Sequence, residues 1–481
     1  MLETIKKWIR MVKEKMLKKE SVRQASGLNA AVSDEMAEAI RLWGQMYENN
    51  PPWKSETVST ANLPAAIAGE VARLVTLELK SAITGSARAD FLNAAYQPLL
   101  RDIRRQSEYA CAKGGLVFKP YVSDGRLAVD CIQADCFYPV AFDSAGNITG
   151  AVFLAQVERD DKYYTRLETH LLTGDGYVIR NQAYKSASMD DLGEEIPLAE
   201  VEEWADFMPE VAVKGVSAPL FSYFKIPFAN SIDPQSPLGV SVYARAAGLI
   251  CEADRQYSRI LWEYEGAELA VDADMTLFKR DENGELVLPQ GKERLFRALD
   301  MDDSDSKYNV FSPQIRDGSL FNGLNRLFQR IEFACGLAYG TLSDPQTVER
   351  TAEEIKSSKQ RSYATVADIQ KSLRDALTAL AGAMDVWCTL GRLAPQGDYD
   401  ISFEFDDSIV ADRRAEFAEK QQLVAAGIMQ PWEFRMWYFG EPEGQAKAMC
   451  GVEEEEAAAG PANRSEEAKG EPQGKEQKTK G

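Results

Sequence analysis

The spacing of apolar residues divides the chain into a helical stretch, a strand-rich stretch and a second helical stretch. Between residues 33 and 110 the apolar positions recur every three to four residues, which predicts amphipathic helices. Ser33 can cap the first helix, and Asn62 with Pro64 can start the next one, which we expect to continue to Ile83. A third helix is expected to bend near Pro98 and to stop at Gly114.

From Leu116 the period of the pattern changes to two. Short segments rich in β-branched and aromatic residues alternate with turn sequences such as SDG, DSAGN and TGDG. The segments are LVFKPYV, RLAVDCI, CFYPVAF, ITGAVFLAQVE, KYYTRLETHLL and YVIRNQAY. This pattern predicts an antiparallel meander of about six strands. A block of helices followed by a block of strands indicates an α+β fold rather than a doubly wound sheet.

A long helix, a small excursion and a returning helix are predicted next. Apolar residues keep helical spacing through residues 239–266 and again through residues 318–338. The excursion, residues 267–317, contains TLFKR and ELVLP around an ENG turn, which predicts a hairpin. The two helices should therefore lie antiparallel, with the excursion projecting beyond them.

The longest helical pattern lies at residues 351–398. Its apolar positions have near-heptad spacing and predict a packed long helix or a coiled-coil seam: Val366, Ile369, Leu373, Leu377, Leu380, Met384 and Trp387. A strand and two helices are predicted at residues 399–440. Residues 441–481 consist largely of Glu, Ala, Gly, Pro and Lys, which predicts a disordered acidic tail.

Residues 1–32 are predicted as a basic amphipathic N-terminal segment. The first 20 residues carry seven Lys and Arg against three Glu, and their apolar positions share one helical face. Those positions are Leu2, Ile5, Trp8, Ile9, Val12 and Met16. Such a helix can lie on a membrane or dock on an acidic partner surface, and we favour the partner.

The composition of the chain, and above all its net charge, excludes several classes of function. The 481 residues include 55 Lys and Arg against 75 Asp and Glu, for a net charge of −20. This argues against a protein that binds DNA or RNA by placing cations on phosphates. The single histidine, His170, lies in a strand pattern and is interpreted as an ordinary histidine. Seven scattered cysteines without a CxxC pair argue against a disulfide framework or a zinc ribbon and favour a reducing compartment.

Motifs for catalysis fail when their spacing is checked. GELVLPQGKE has six residues between its first glycine and Gly291, and Glu293 stands where a phosphate loop needs Ser or Thr. The acidic run from Asp300 has Asp305 where a calcium loop requires glycine. We therefore predict no catalytic, metal-binding or cofactor-binding residues and no enzymatic activity.

The order of helix, excursion, helix and turn-rich loop resembles that of tailed-bacteriophage portal proteins (head-to-tail connectors) of the siphophage type. Pro237, Leu238, Gly239 and Ser241 match the small-residue entry to the first stem helix, and Asp254 matches a frequent acid. The run Thr351, Ala352, Glu353, Glu354 and Ile355 resembles the Thr-Ala-Thr-Glu-Val run of that family, with Glu353 replacing the second Thr.

The resemblance implies a portal-like division of the α+β fold. It assigns residues 33–238 to an α/β wing, 239–266 and 318–338 to a stem pair, 267–317 to a clip, and 399–440 to a strand and helical crown. It also implies a homo-oligomeric ring, dodecameric in the family, at one capsid vertex of the virion, assembled in the bacterial cytoplasm. Its implied partners are the terminase large subunit, a head-completion or adaptor protein, the major capsid and scaffolding proteins, and double-stranded DNA that passes through without sequence-specific binding.

Residues 339–350 correspond to the tunnel loop of that family. The resemblance implies that Ser343, Asp344, Pro345, Gln346 and Thr347 belong to this loop, where turn formers precede a possible helix cap at Thr347. A simpler interpretation is a surface turn that contacts nothing.

Three other functions stay open at this point. The chain could be another capsid or scaffold component, a metal-dependent nuclease that uses some of its many carboxylates, or a membrane-associated adaptor that uses the first helix. A closed ring, metal-dependent cleavage and liposome binding would distinguish them.

Overall fold

The computed structural model describes residues 19–28, 32–189, 191–288, 295–300, 307–344, 352–405 and 413–451. The chain divides into a first unit up to Val410 and a second unit from Ala411. The predicted N-terminal segment therefore lies largely outside the described residues, apart from the helix α1, Lys19–Ser26.

Three further helices open the first unit. They are α2, Asp34–Tyr47; α3, Leu63–Val75; and α4, Ala87–Lys113. Ser33 caps α2 as predicted, because its hydroxyl accepts a hydrogen bond from the Met36 amide. Gly114 ends α4 with a φ of 92°, a left-handed conformation that favours glycine. Helix α4 continues through Pro98 without interruption.

The prediction that the second helix continues to Ile83 is wrong. Helix α3 ends at Val75, Glu78 adopts a positive φ, and Lys80–Gly85 forms the strand β1. This strand pairs antiparallel with β16, Tyr399–Glu404, more than 300 residues further along the chain. Ile83 is buried at the centre of that pairing, which local helical periodicity could not reveal.

The predicted meander of about six strands is divided between two sheets. Strands β2, Gly115–Ser123, and β3, Arg126–Gln133, form a three-stranded sheet in the order β10–β2–β3, with β10 at Ser222–Lys225. A turn of 3-10 helix, Ala134–Cys136, follows β3 and interrupts the ladder. The antiparallel pattern was thus predicted correctly, whereas the continuity of the sheet was not.

A six-stranded antiparallel sheet follows that turn. Its order is β4–β5–β6–β7–β8. Strand β8 pairs with residues 183–185 of β7, and β9 pairs with residues 176–180 of the same strand. The bounds are β4 Phe137–Phe142, β5 Ile148–Arg159, β6 Lys162–Thr173, β7 Gly176–Ser186, β8 Glu194–Ile196 and β9 Glu210–Lys214.

A buried ionic network joins the two sheets. The ammonium of Lys119 in β2 lies 2.6 Å from Oε2 of Glu168 in β6, and Arg166 lies 3.2 Å from the same oxygen. Nε2 of His170 lies 2.8 Å from Oε1 of Glu168, and Nδ1 lies 2.9 Å from the Tyr177 hydroxyl. Burial alone would raise the pKa of Glu168, but Lys119, His170 and Arg166 hold that pKa well below its usual value.

The entry to the next helix is built on two glycines in contact. A Cβ on Gly239 would lie 2.1 Å from the Gly114 carbonyl oxygen, so no larger residue fits without a backbone shift. The Ser241 hydroxyl and the Val242 amide both donate to the Cys111 carbonyl. Because this segment is extended against the end of α4, the helix predicted from residue 239 begins only at α5, Ala247–Gly266, after a 3-10 turn at Ala244–Ala246.

Helix α5 lies beside an antiparallel helix, α6, Asp317–Cys335. The Tyr264 and Phe321 rings are in contact, and Gln256 donates to the Leu320 carbonyl. The guanidinium of Arg316 donates two hydrogen bonds to Glu263, at 3.0 and 2.8 Å. The two helices therefore have the side-by-side arrangement that their spacing predicted.

The excursion between these helices contains a small sheet and a hairpin. In the sheet, β11, Ala270–Asp274, pairs parallel with β14, Phe296–Leu299, and antiparallel with β15, Tyr308–Phe311. The hairpin pairs β12, Lys279–Arg280, with β13, Leu286–Val287, where the ENG turn predicted one.

Helix α7, Ala352–Leu390, is the longest in the described part of the chain. The predicted apolar positions from Val366 to Met384 are buried, and Trp387 is partly buried, so this face packs in the core. The guanidinium of Arg88 in α4 is buried and donates to the Asp385 carboxylate, the Asp385 carbonyl and the Ala394 carbonyl. The helix ends eight residues before the predicted residue 398, and Arg392 beyond it has a positive φ.

The described part of the second unit, residues 413–451, contains three helices. They are α8, Arg413–Ala425; α9, Pro431–Phe439; and α10, Glu443–Met449. The prediction of a disordered tail from residue 441 is therefore wrong for residues 443–449, where Pro442 precedes a short helix with Ala446 buried. The rest of the predicted tail, residues 452–481, lies outside the described residues.

We expect the imidazole of His170 to titrate below pH 6.5. Burial lowers the pKa of His170, and the hydrogen bond to Glu168 only partly opposes this effect. Since the unfolded chain takes up the proton first, the stabilising contribution of neutral His170 is complete above about pH 6.5. That contribution should be lost progressively as the pH falls from there toward the folded-state pKa.

The measurement is an NMR titration of protein labelled in histidine. The sequence has one histidine, so a single set of imidazole signals reports the folded pKa. The same titration in denaturant gives the reference. A folded-state midpoint at or above the denatured one would contradict the burial argument.

Candidate functional site

The loop between α6 and α7 is the candidate site. Gly336 ends α6 with a φ of 71°, and a Cβ there would lie 2.5 Å from the Thr365 hydroxyl of α7. The described part of the loop runs to Asp344, and α7 begins at Ala352. The loop therefore leaves α6 through a position that requires glycine and lies directly against α7.

A buried carboxylate in α6 organises this loop. Glu332 is fully buried, and its Oε1 accepts hydrogen bonds from the backbone amides of Gly340, Leu342 and Ser343 at 3.1, 2.7 and 2.8 Å. The Ser343 hydroxyl lies 2.9 Å from Oε2 of the same carboxylate. Several donors converge on one anion, which compensates for removing that charge from water.

A second side chain of α6 holds the outer end of the described loop. The Asn325 side-chain oxygen accepts a hydrogen bond from the Asp344 amide at 2.8 Å. Asn325 and Glu332 are seven residues apart, or two helical turns, and therefore lie on the same side of α6. Together they fix the path of the backbone from Gly340 to Asp344.

Arg361 links the start of the loop to α7. Its guanidinium lies over the rings of Phe333 and Tyr339, with centroid distances of 4.7 and 5.0 Å, and donates to the Leu337 carbonyl. Cation–π contacts contribute about 0.5–1 kcal/mol even where the ring is exposed to water, as Phe333 is. The loop is thus held from both of the helices that it connects.

The predicted tunnel-loop residues and the family-like motif from Thr351 to Ile355 fall into three groups in the structure. Ser343 is 4% exposed and belongs to the anchor of the loop, whereas Asp344 is exposed. Pro345, Gln346, Thr347 and Thr351 lie outside the described residues. Ala352, Glu353, Glu354 and Ile355 form the first turns of α7.

Asp254 in α5, the acid named above for its resemblance to portal proteins, also has a structural role. Oδ1 of Asp254 accepts from the Ala61 amide, and Oδ2 accepts from the Trp53 indole, both at 2.9 Å. Burial raises the pKa of Asp254, and these two hydrogen bonds oppose the rise. Asp254 therefore fastens the segment before α3 to α5.

Sequence reasoning missed Glu332, Asn325 and Arg361. The available signal was a glutamate at Glu332 within an apolar helical stripe that includes Ile331 and Cys335, followed by a loop rich in Gly and Ser. A carboxylate on the core-facing side of a helix requires hydrogen-bond donors, and here the backbone amides of the loop supply them.

Outside the loop, the arrangement of possible metal ligands and of the cysteine thiols can also be stated for the described residues. Within the described ranges, no three His, Cys, Asp or Glu side chains converge on a position that could hold a metal ion. All seven cysteines are free thiols, and burial raises the pKa of Cys111 and Cys335. A search of the described helices finds none with the length and apolar character needed to cross a membrane.

Comparison with known proteins identifies the family. Residues 101–434, more than two thirds of the chain, match the family described as "Phage portal protein, SPP1 Gp6-like". The chain belongs to this family of phage portal proteins. Portal proteins of this family are structural components of the phage particle, in its connector region.

One solved structure is also similar to this portal chain. It is described as the neck of a native GTA particle computed with C12 symmetry. The match covers 88% of this chain and 98% of the other at 14% identity, with a TM-score of 0.44. No curated protein gives a significant match.

Glu332→Ala should lower the free energy of unfolding of the portal chain by about 3 kcal/mol or more. The substitution leaves buried amides of the loop without an acceptor, and each lost hydrogen bond to a charged group costs about 1.5–3 kcal/mol. Glu332→Gln should cost less, because one amide oxygen can still accept. Denaturant unfolding at neutral pH measures both changes.

Asn322→Ala is the matched control, since Asn322 lies exposed on the same helix. It should change the free energy of unfolding by about 0.5 kcal/mol at most. If Glu332→Ala were as mild as the control, the carboxylate would not be what holds the loop.

Proposed function

We propose that this portal chain forms a closed ring at one capsid vertex and that double-stranded DNA is packaged and ejected through the channel of the ring. The family match is the observation that carries the proposal. The ring is dodecameric in this proposal, as the resemblance of the stem and loop sequences implies. The loop between α6 and α7 serves as its inward constriction.

The distribution of exposed apolar side chains supports assembly. In the described chain, most exposed large apolar residues fall between Leu261 and Phe333, on α5, α6 and the excursion. Trp262 is 67% exposed and Phe333 is 60% exposed. Surfaces of this kind mark sites of association, and heterologous contacts between identical subunits can close into a ring.

The charge of the chain supports passage of DNA rather than retention. Proteins that hold DNA tightly neutralise about six to ten phosphates, which dominates affinity. The net charge of −20 opposes such contacts. In the proposed loop, Asp344 is exposed and acidic, so the constriction can guide the duplex by shape without holding its phosphates.

The excursion, residues 267–317, is proposed as the docking region for the terminase large subunit and then for a head-completion or adaptor protein. The chain reaches it only by leaving the helix pair and returning to it. The wing and crown regions are proposed to contact the major capsid and scaffolding proteins. Assembly would take place in the host bacterial cytoplasm before incorporation into the virion.

Replacing Asp344 and Gln346 with Lys should slow or stall DNA packaging without preventing ring assembly. The two substitutions, repeated around the ring, add cations where the duplex passes and increase phosphate contacts. Negative-stain images of the purified variant give ring assembly, and nuclease-protected DNA in assembled particles gives packaging.

Glu48→Lys with Gln235→Lys is the control, because both positions are exposed and the change in charge is the same. This control should package at the wild-type rate. Normal packaging by rings that carry Asp344→Lys and Gln346→Lys would remove the loop from the channel.

A further inference from the structure

The sequence contains two Asn-Gly pairs, and the structure holds them in different ways. Asn283 and Gly284 lie in the turn between β12 and β13, whereas Asn322 and Gly323 lie within helix α6. In such a pair the backbone nitrogen of the glycine can approach the side-chain carbonyl carbon of the asparagine, because glycine has no Cβ to obstruct the approach. The two pairs have the same local chemistry, so their surroundings decide whether each reacts.

The side chain of Asn283 is unrestrained. Asn283 and Gly284 are both exposed, and in the described part of the chain no group forms a hydrogen bond with the Asn283 side-chain amide. Gly284 has a φ of 82°, and a Cβ built on it would meet nothing within 4 Å. The space beside the Gly284 backbone is therefore open, and no packed element has to move before the two groups meet.

Few hydrogen bonds hold this turn closed. The Gly284 amide donates to the Asp281 carbonyl at 3.1 Å, and the Asp281 amide donates to the Glu285 carbonyl at 2.9 Å. Oδ1 of Asp281 accepts from the amides of Asn283 and Glu285. The strands β12 and β13 contain two residues each. An exposed hairpin of this size opens at a low cost in free energy, so the Gly284 amide is released frequently from its hydrogen bond.

Asn322 is also exposed, but its backbone is part of a packed helix. The amide of Gly323 lies inside α6, where it belongs to the ladder of hydrogen bonds between successive turns. A Cβ on Gly323 would lie 3.8 Å from Nε2 of Gln256 in α5, and the adjacent Leu324 is buried. Reaction at Asn322 therefore requires a turn of packed helix to open first, which costs more free energy than opening the hairpin.

We propose that Asn283 is a site of spontaneous deamidation in the native chain. The Gly284 nitrogen attacks the side-chain carbonyl carbon of Asn283 and forms a C–N bond. The side-chain nitrogen leaves as ammonia and carries away the proton that the Gly284 nitrogen loses. Water then hydrolyses the resulting succinimide ring at either of its two carbonyl carbons, which gives an aspartyl or an isoaspartyl residue. Water is the only co-reactant, and ammonia is the only product released.

The reaction changes both the charge and the backbone of the hairpin. Asp281, Glu282 and Glu285 place three carboxylates in this turn, and deamidation adds a fourth. The isoaspartyl product also inserts one extra atom into the backbone before Gly284, whose carbonyl accepts a hydrogen bond from Arg280 at 2.9 Å. Amide exchange in β12 and β13 should consequently be faster in the converted chain. Any effect on a partner docked at the excursion rests on the function proposed above, whereas the reaction itself does not.

Peptide mass spectrometry of the full chain during incubation in mildly alkaline buffer tests the proposal, with digestion at low pH to stop the reaction. In the native protein, conversion at Asn283 should be at least about tenfold faster than at Asn322, because only the helix must first open against its packing. In denaturant the two rates should become similar. In heavy-oxygen water, one heavy atom should enter the product, and isoaspartyl and aspartyl forms should both appear.

Equal rates at Asn283 and Asn322 in the native protein would overturn the proposal. Conversion that yields no isoaspartyl form would also contradict it, since direct hydrolysis of the side-chain amide gives the aspartyl form alone.

A pair of glycine variants tests the role of the Gly284 nitrogen. Gly284→Ala places a methyl group beside the attacking nitrogen in open space, so the chain should fold while conversion at Asn283 slows markedly. The matched control is Gly323→Ala, where the new Cβ makes only an ordinary contact with Gln256. This control should leave the rate at Asn283 unchanged. A wild-type rate at Asn283 in the Gly284→Ala chain would rule out attack by that nitrogen.

Discussion

The buried carboxylate of Glu332 determines how helix α6 is joined to helix α7. Without it, the turn from α6 to α7 would bury backbone amides that have no acceptor, which is costly in a protein interior. With it, the loop folds back onto the helix from which it came. The loop can therefore hold a defined position although most of its side chains are short.

Buried charged side chains also join other elements of the first unit. Glu168 is shared by Lys119, Arg166 and His170 between the two sheets, and Arg88 joins α4 to the end of α7. A buried ion pair contributes little to net stability when its desolvation is counted, but removing one partner is strongly destabilising. These groups consequently fix which elements pack together, while the apolar core supplies most of the stabilisation.

Much of the fold could be predicted because its signals are local. The cap at Ser33, the stop at Gly114, the hairpin turn near Gly284 and the buried stripe of α7 depend on residues close in sequence. The pairing of β1 with β16 and the addition of β10 to β2 depend on contacts between distant segments, which periodicity does not encode. The site divides in the same way, since turn formers located the loop, whereas the partners of Glu332 exist only after α6 and the loop have come together.

Hydrogen exchange at the loop amides tests the central role of Glu332 most directly. In the native protein, the amides of Gly340, Leu342 and Ser343 should exchange far more slowly than in an unstructured peptide, because each donates to the same buried carboxylate. In Glu332→Ala that protection should be lost while the amides in the middle of α7 remain protected. Exchange at unprotected rates in the native protein, or unchanged protection in the variant, would contradict this account.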